Sequence, residues 1–239
     1  VSTLQRHKLQ DHVDEHNRTI APLSRSVGSG LIGGDLSPTG KIPAPAGDAT
    51  WEELTAIYRQ QAMALEPLVD FFAVETMISL AEARAAVYAI RSFSRKPIFV
   101  TLTVDERGRT MSGDTLEASL LTLSTLDIQA FGCNCSTGPE PMLRLLRPLT
   151  PLASALGIPL IAKPNAGMPK LQSDGSNQFD MTPEDFSSFA PQFLEAGILI
   201  LGGCCGTDER HIRALRNAVD SWNQPLSFPA ENPASLYCN

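Results

Sequence analysis

The side chains of this 239-residue chain best suited to chemistry are cysteines. Cys204 and Cys205 stand side by side in Leu201-Gly202-Gly203-Cys204-Cys205-Gly206, directly after an apolar run, Gly197–Leu201, that reads as a short buried strand. Cys133 and Cys135 end a second such run, in Phe131-Gly132-Cys133-Asn134-Cys135. Three thiolates delivered from two strand ends can hold a zinc ion and leave its fourth position open, which separates a catalytic zinc from a structural one. Soft thiolates favour zinc over hard cations. A free thiol is scarcely ionised at neutral pH, and coordination removes its proton. A substrate thiol entering the open position would become a bound thiolate in the same way. The chemistry implied is alkylation or methyl transfer at sulfur.

Side chains two apart on a strand share a face, so either Cys133 or Cys135 can point to such a site. The later one lies nearer the loop rim, which favours Cys135. Spacing alone leaves the zinc site balanced against buried free cysteines, a common core residue. Gly202 and Gly203 also have a purely backbone reading, a sharp turn from strand to loop. Gly138-Pro139 reads as a helix start.

Strands must deliver these residues, and the composition allows for them. Hydrophobic content of 43% and charged content of 19% argue against disorder. The net charge of −7 argues against a dedicated nucleic-acid binder. No apolar run approaches the length of a membrane span. Five cysteines cannot all pair within one chain, and Cys204 could pair with Cys205 only in a strained ring. The expectation is a reduced, cytoplasmic protein with a metal site.

Short apolar runs alternate with amphipathic stretches. The predicted strands are Gly30–Leu36, Phe71–Glu75, Ile98–Thr103, Ile128–Cys133, Pro159–Ala162 and Gly197–Leu201. Leu4 to about Ile20 reads as a polar helix whose histidines, His7, His12 and His16, face solvent. Thr50 with Glu53 and Ser79 with Glu82 make capping boxes. Leu80, Ala83, Val87 and Ile90 give one core-facing stripe. Thr182-Pro183 and Asp208-Glu209 mark two further helix starts, and Ile212, Leu215, Val219 and Trp222 form the last stripe.

Strand-then-helix repetition means a parallel α/β sheet with right-handed crossovers. Six βα units are readable where a closed (β/α)8 barrel has eight, so the chain is expected to lack the first one to two units. An open six-stranded sheet is the alternative. Residues 1–222 read as a single domain and 223–239 as a C-terminal extension. In either architecture ligands collect at the C-terminal strand ends. There lie Glu75-Thr76, Asp105-Glu106, Asn134-Cys135, Lys163-Pro164-Asn165-Ala166-Gly167 and Gly203-Cys204-Cys205-Gly206.

Three of these segments carry a resemblance. Phe131-Gly132-Cys133-Asn134-Cys135-Ser136-Thr137-Gly138-Pro139-Glu140, Lys163-Pro164-Asn165-Ala166-Gly167 and Gly202-Gly203-Cys204-Cys205-Gly206-Thr207 resemble motifs of the homocysteine S-methyltransferases. Ser37-Pro38-Thr39-Gly40, Val74-Glu75-Thr76-Met77, Asp105 to Thr110 and Asp180 to Glu184 extend the resemblance from about residue 28 to about 220. The chain is most similar to the homocysteine-binding domain of cobalamin-dependent methionine synthases. The resemblance implies a (β/α)8 TIM-type barrel holding one zinc through Cys135, Cys204 and Cys205, with Cys133 the extra cysteine. It implies that Glu75 and Asn134 help bind homocysteine and that the product is methionine. The methyl donor would be methylcobalamin, recharged from methyltetrahydrofolate, on a corrinoid partner chain. S-methylmethionine or betaine is the alternative donor, and a zinc-binding module without turnover is the non-enzyme alternative. The family's opening strand with its Asp-Gly motif has no counterpart here. A partner or second copy of the chain is expected to cover the open strand edges.

Overall fold

The computed structural model describes residues 7–28, 30–172, 175 and 177–226. Two compact units are distinguishable: residues Val1–Thr101 with Leu121–Gln129, and Leu102–Leu120 with Ala130–Asn239. They divide the span read from sequence as one domain. Most of the expected C-terminal extension, from residue 227 on, lies outside the described residues, as does the start of the expected N-terminal helix.

In the first unit, a 3-10 turn at Gln10–His12 leads into α1 (Val13–Ser26). The α-helix therefore starts later than the expected Leu4–Ile20 and ends later, at Ser26. It buries only Val13 and Ala21, leaving its His12 face in solvent. Strand β1 (Gly33–Leu36) pairs in parallel with β2 (Phe71–Met77), Gly33 opposite Phe71 and Leu36 opposite Val74. Between them runs α2 (Trp51–Leu65), with half of the expected capping box: the Thr50 side chain accepts from the Glu53 amide, while the Glu53 carboxylate pairs with Lys41 at 2.8 Å. Helix α3 (Leu80–Arg91) buries Ala83, Val87 and Ile90 along the predicted stripe. Strand β3 (Ile98–Leu102) follows, its last residue opening the second unit.

The Ser79–Glu82 capping box does not form; Ser79 makes no side-chain cap hydrogen bond. Glu82 is 1% exposed and its Oε1 accepts from the Thr39 amide at 2.8 Å, the Thr39 hydroxyl at 2.6 Å and the Tyr58 hydroxyl at 2.9 Å. Three donors on one buried carboxylate outweigh the single amide that a capping box offers.

Helix α4 (Leu116–Ser124) is divided between the units after Leu120; in the second unit, β4 (Ala130–Asn134) is buried along its whole length. β4 pairs in parallel with β5 (Leu160–Lys163), and β5 with β8 (Ile198–Leu201). Strands buried on both faces read as continuous apolar runs, which is why the sequence showed them. Gly132 has a steric reason: a Cβ there would lie 1.9 Å from the Ile161 carbonyl oxygen on β5. Helices α5 (Pro139–Leu146) and α6 (Thr150–Leu156) fill the β4–β5 crossover. A short hairpin, β6 (Lys170–Leu171) with β7 (Asn177–Gln178), precedes α7 (Pro183–Ser187) and α8 (Ala190–Glu195).

The last helix, α9 (Glu209–Asp220), starts at Asp208 as expected; Leu215 and Val219 of the expected stripe pack inward, but Ile212 gives its place to His211. His211 and Leu215 are buried while Ile212 is 45% exposed. Trp222 lies beyond the helix end. All six predicted strands are present, shifted at their ends by up to three residues. The fold is α/β, with successive parallel βα units of barrel type. Among the described residues no helix is long and apolar enough to cross a membrane.

Candidate metal centre

Local backbone geometry delivers the first sulfur. β4 ends at Asn134, and Cys135 and Ser136 then both take left-handed backbone, with φ of 61° and 62°. A non-glycine residue there costs about 1–3 kcal/mol, and two in succession persist only where the surroundings over-determine them. The Cys135 amide donates to the Lys163 carbonyl at 3.1 Å and the Thr137 amide to the Cys135 carbonyl at 2.7 Å, so the turn is fastened to the end of β5. A strand simply continued through residue 135 would place its side chain on the Cys133 face; the turn redirects it.

Cys204 and Cys205 leave β8 on a loop tied to the segment after β5. The Cys204 amide donates to the Pro164 carbonyl (2.9 Å), the Cys205 amide to Asn165 Oδ1 (3.1 Å), and the Ala166 amide to the Cys205 carbonyl (2.9 Å). Gly206 closes the turn with φ of 78°, and a Cβ there would meet the Phe179 ring at 2.2 Å. A side chain at Gly203 would run into Thr207, whose hydroxyl donates to the Cys204 carbonyl at 2.7 Å.

The sulfurs of Cys135, Cys204 and Cys205 consequently meet. Cys135 Sγ is 3.7 Å from Cys205 Sγ, Cys205 Sγ is 4.0 Å from Cys204 Sγ, and all three lie within 4.8 Å of one another. Ligands at 2.3 Å around a tetrahedral zinc are separated by about 3.8 Å. The spacing and the soft donor set both suit zinc, and three sulfurs leave one tetrahedral position for another ligand. Desolvation, followed by the neighbouring sulfurs, raises the Cys204 thiol above its ordinary pKa and pushes Cys205 up to about 12. Crowded acids resist ionisation together, a cost that a dication at their centre removes.

Cys133 points elsewhere. It is buried, and the loss of water pushes its pKa up to about 12, so it remains a thiol of the core. Asn134 is 1% exposed, and its Nδ2 donates to Cys204 Sγ at 3.7 Å. Glu75 lies in the first unit on β2, half-buried, and the next residue, Thr76, has φ of 62°. Two residues in the hydrogen-bonded frame behind the sulfurs escaped the sequence reading in this role. Asn165 was visible within Lys163-Pro164-Asn165-Ala166-Gly167, but nothing in that run says its side chain braces the Cys205 amide. His211 signalled itself only by standing three residues after the helix-capping Asp208.

The family model described as homocysteine S-methyltransferase matches residues 1–219. The chain belongs to the homocysteine S-methyltransferase family. It is 28% identical to a methionine synthase of Mycobacterium tuberculosis over 99% of this chain, and 32% identical to one of Mycobacterium leprae over 80%. It spans only 21% and 16% of those relatives' lengths. In fold it resembles the homocysteine methyltransferase MmuM from Escherichia coli. The apo form gives a TM-score of 0.62 at 21% identity, covering 85% of this chain and 68% of that one. The oxidized form gives 0.65 at the same identity. The family and the barrel-type α/β fold implied by the sequence motifs are thus present.

Proposed function

We propose that this chain methylates the thiol of homocysteine to give methionine, with zinc held by Cys135, Cys204 and Cys205. The approach of these three sulfurs from β4 and β8, at 3.7 and 4.0 Å, is the observation that carries the reading. Zinc, when bound, supplies a Lewis-acid position at which a fourth, substrate thiol ionises at neutral pH. The chain's own residues do the rest. The left-handed turn at Cys135 aims one sulfur, and Asn165 and the Pro164 carbonyl hold the loop that carries the other two. Asn134 donates to the Cys204 sulfur and so draws off part of its negative charge. By the family resemblance, Asn134 and the Glu75 carboxylate are assigned to the amino-acid end of homocysteine.

In this reading residues 1–222 act as one homocysteine-binding domain. The methyl group arrives from a methylcorrinoid charged by methyltetrahydrofolate on a corrinoid partner, by analogy with the methionine synthases. A reducing compartment such as the cytoplasm keeps three adjacent thiols available.

The test is metal analysis combined with a homocysteine titration on this chain. One zinc per chain, and calorimetric homocysteine binding that disappears on chelation, are expected. A chain that takes up no zinc after reduction and reconstitution sinks the proposal. Turnover assays with methylcobalamin, S-methylmethionine and betaine in parallel then identify the donor.

A further inference from the structure

His211 is buried, 5% exposed, and is the only buried histidine among the described residues. It sits on α9, six residues past Cys205, and touches no sulfur ligand. Its ring stands edge-on to Phe186 with centroids 5.7 Å apart. Nε2 lies 3.0 Å from the Met181 carbonyl oxygen. A carbonyl only accepts, so Nε2 carries the hydrogen whatever the charge on the ring. Nδ1 faces Asp208, 2.7 Å from its Oδ1 and 3.2 Å from its amide nitrogen. One ring therefore serves two ends: the cap of α9 and the backbone of residue 181.

Met181 is itself a link. Its amide donates to the Ala166 carbonyl at 3.2 Å, and the Ala166 amide donates to the Cys205 carbonyl at 2.9 Å. Hydrogen bonds thus run from His211 through Met181 and Ala166 to Cys205. The chain from Cys205 through Gly206, Thr207 and Asp208 back to α9 closes the loop. Inside it Phe179 leaves no room for a side chain at Gly206. Sulfurs that bind a tetrahedral ion must be held to within a few tenths of an ångström, and outer hydrogen-bond partners do that holding.

We propose that His211 is a positioning residue for the sulfur cluster, acting through its Nε2–H tether to Met181 rather than through its cap on Asp208. This rests on the zinc reading above. Two conservative variants separate the roles. In His211→Gln the amide nitrogen takes the Nε2 place and can still reach Met181, while the Asp208 contact is lost. In His211→Asn the shorter amide takes the Nδ1 place and keeps Asp208 while losing Met181.

Zinc dissociation constants from chelator competition, and the visible spectra of cobalt(II)-loaded protein, are measured on this chain and both variants. The tether predicts that His211→Asn weakens zinc about tenfold or more and alters the cobalt spectrum. It also predicts that His211→Gln stays close to the parent in both. Capping alone predicts the reverse order. That order, or equal behaviour of the two variants, overturns the proposal. A parent chain that binds no zinc overturns the zinc reading and this inference with it. A parent that binds while His211→Asn is unaffected overturns only the tether.

Discussion

Two polar clusters, one in each unit, are built on opposite plans. In the first, the carboxylate of Glu82 on α3 is buried and takes three donated hydrogen bonds, from Thr39 and from Tyr58 on α2. Burial, and next the Glu82 charge, drives the Tyr58 hydroxyl far above its ordinary pKa, so it stays a donor. Protein groups complete that cluster, which fastens the Ser37-Pro38-Thr39-Gly40 loop to two helices. In the second unit, three sulfurs face one another, and burial followed by the neighbouring sulfurs raises the Cys204 and Cys205 thiols. Their backbone is braced by Lys163, Pro164, Asn165 and Ala166. A satisfied network stabilises its surroundings; a braced cluster of like acids is arranged for something that brings positive charge.

That contrast can be broken from either side. The largest effect is expected at the sulfurs. Cys204→Ser should weaken zinc by more than the 10- to 100-fold typical of losing an outer partner. It should leave the melting temperature of the metal-free chain nearly unchanged; a full equivalent of tightly held zinc in this variant contradicts the assignment. Next comes Glu82→Ala, which strands two hydroxyl donors and one amide in a buried site. About 3 kcal/mol of stability should be lost in urea unfolding, with zinc stoichiometry intact. A loss under about 1 kcal/mol would mean that water replaces the carboxylate. Asn134→Ala should cost about tenfold in zinc affinity, read by chelator competition, because the Cys204 sulfur loses its N–H donor.

The smallest effect concerns Cys133. Its folded pKa, about 12, is above the ordinary thiol value of about 9. Ionisation therefore favours the unfolded chain as pH climbs. The stabilising contribution is complete below about pH 9 and is lost between about 9 and 12. Unfolding midpoints should fall across that window, and Cys133→Ala should flatten the fall without zinc present. Parallel slopes for parent and variant would show that this thiol titrates normally.

Much of the site could be read directly from residue order. Strands buried on both faces announce themselves as apolar runs, and chemistry-bearing residues gather where such runs stop. The choice of Cys135 over Cys133 also followed from position along the strand. Other features were hidden because they depend on competition between distant groups. Glu82 has the spacing of a helix cap, yet Tyr58 and Thr39, 24 and 43 residues away, offer it more. Ile212 has the spacing of a core residue, but the neighbouring His211 occupies the inner face because Met181 and Phe186 receive it there.

The amino-acid order alone determined the alternation of strands and helices, the helix starts at Thr50, Thr182 and Asp208, and the family motifs that contain the three cysteines. These depend on periodicity and on side chains within a few residues of one another. Folding in three dimensions decided that sulfurs 70 residues apart come within 3.7 Å, that residue 135 turns through left-handed backbone, and that a histidine on the last helix reaches the Met181 carbonyl. Those outcomes depend on which buried donors and acceptors find each other across the fold, a contest that no local spacing records.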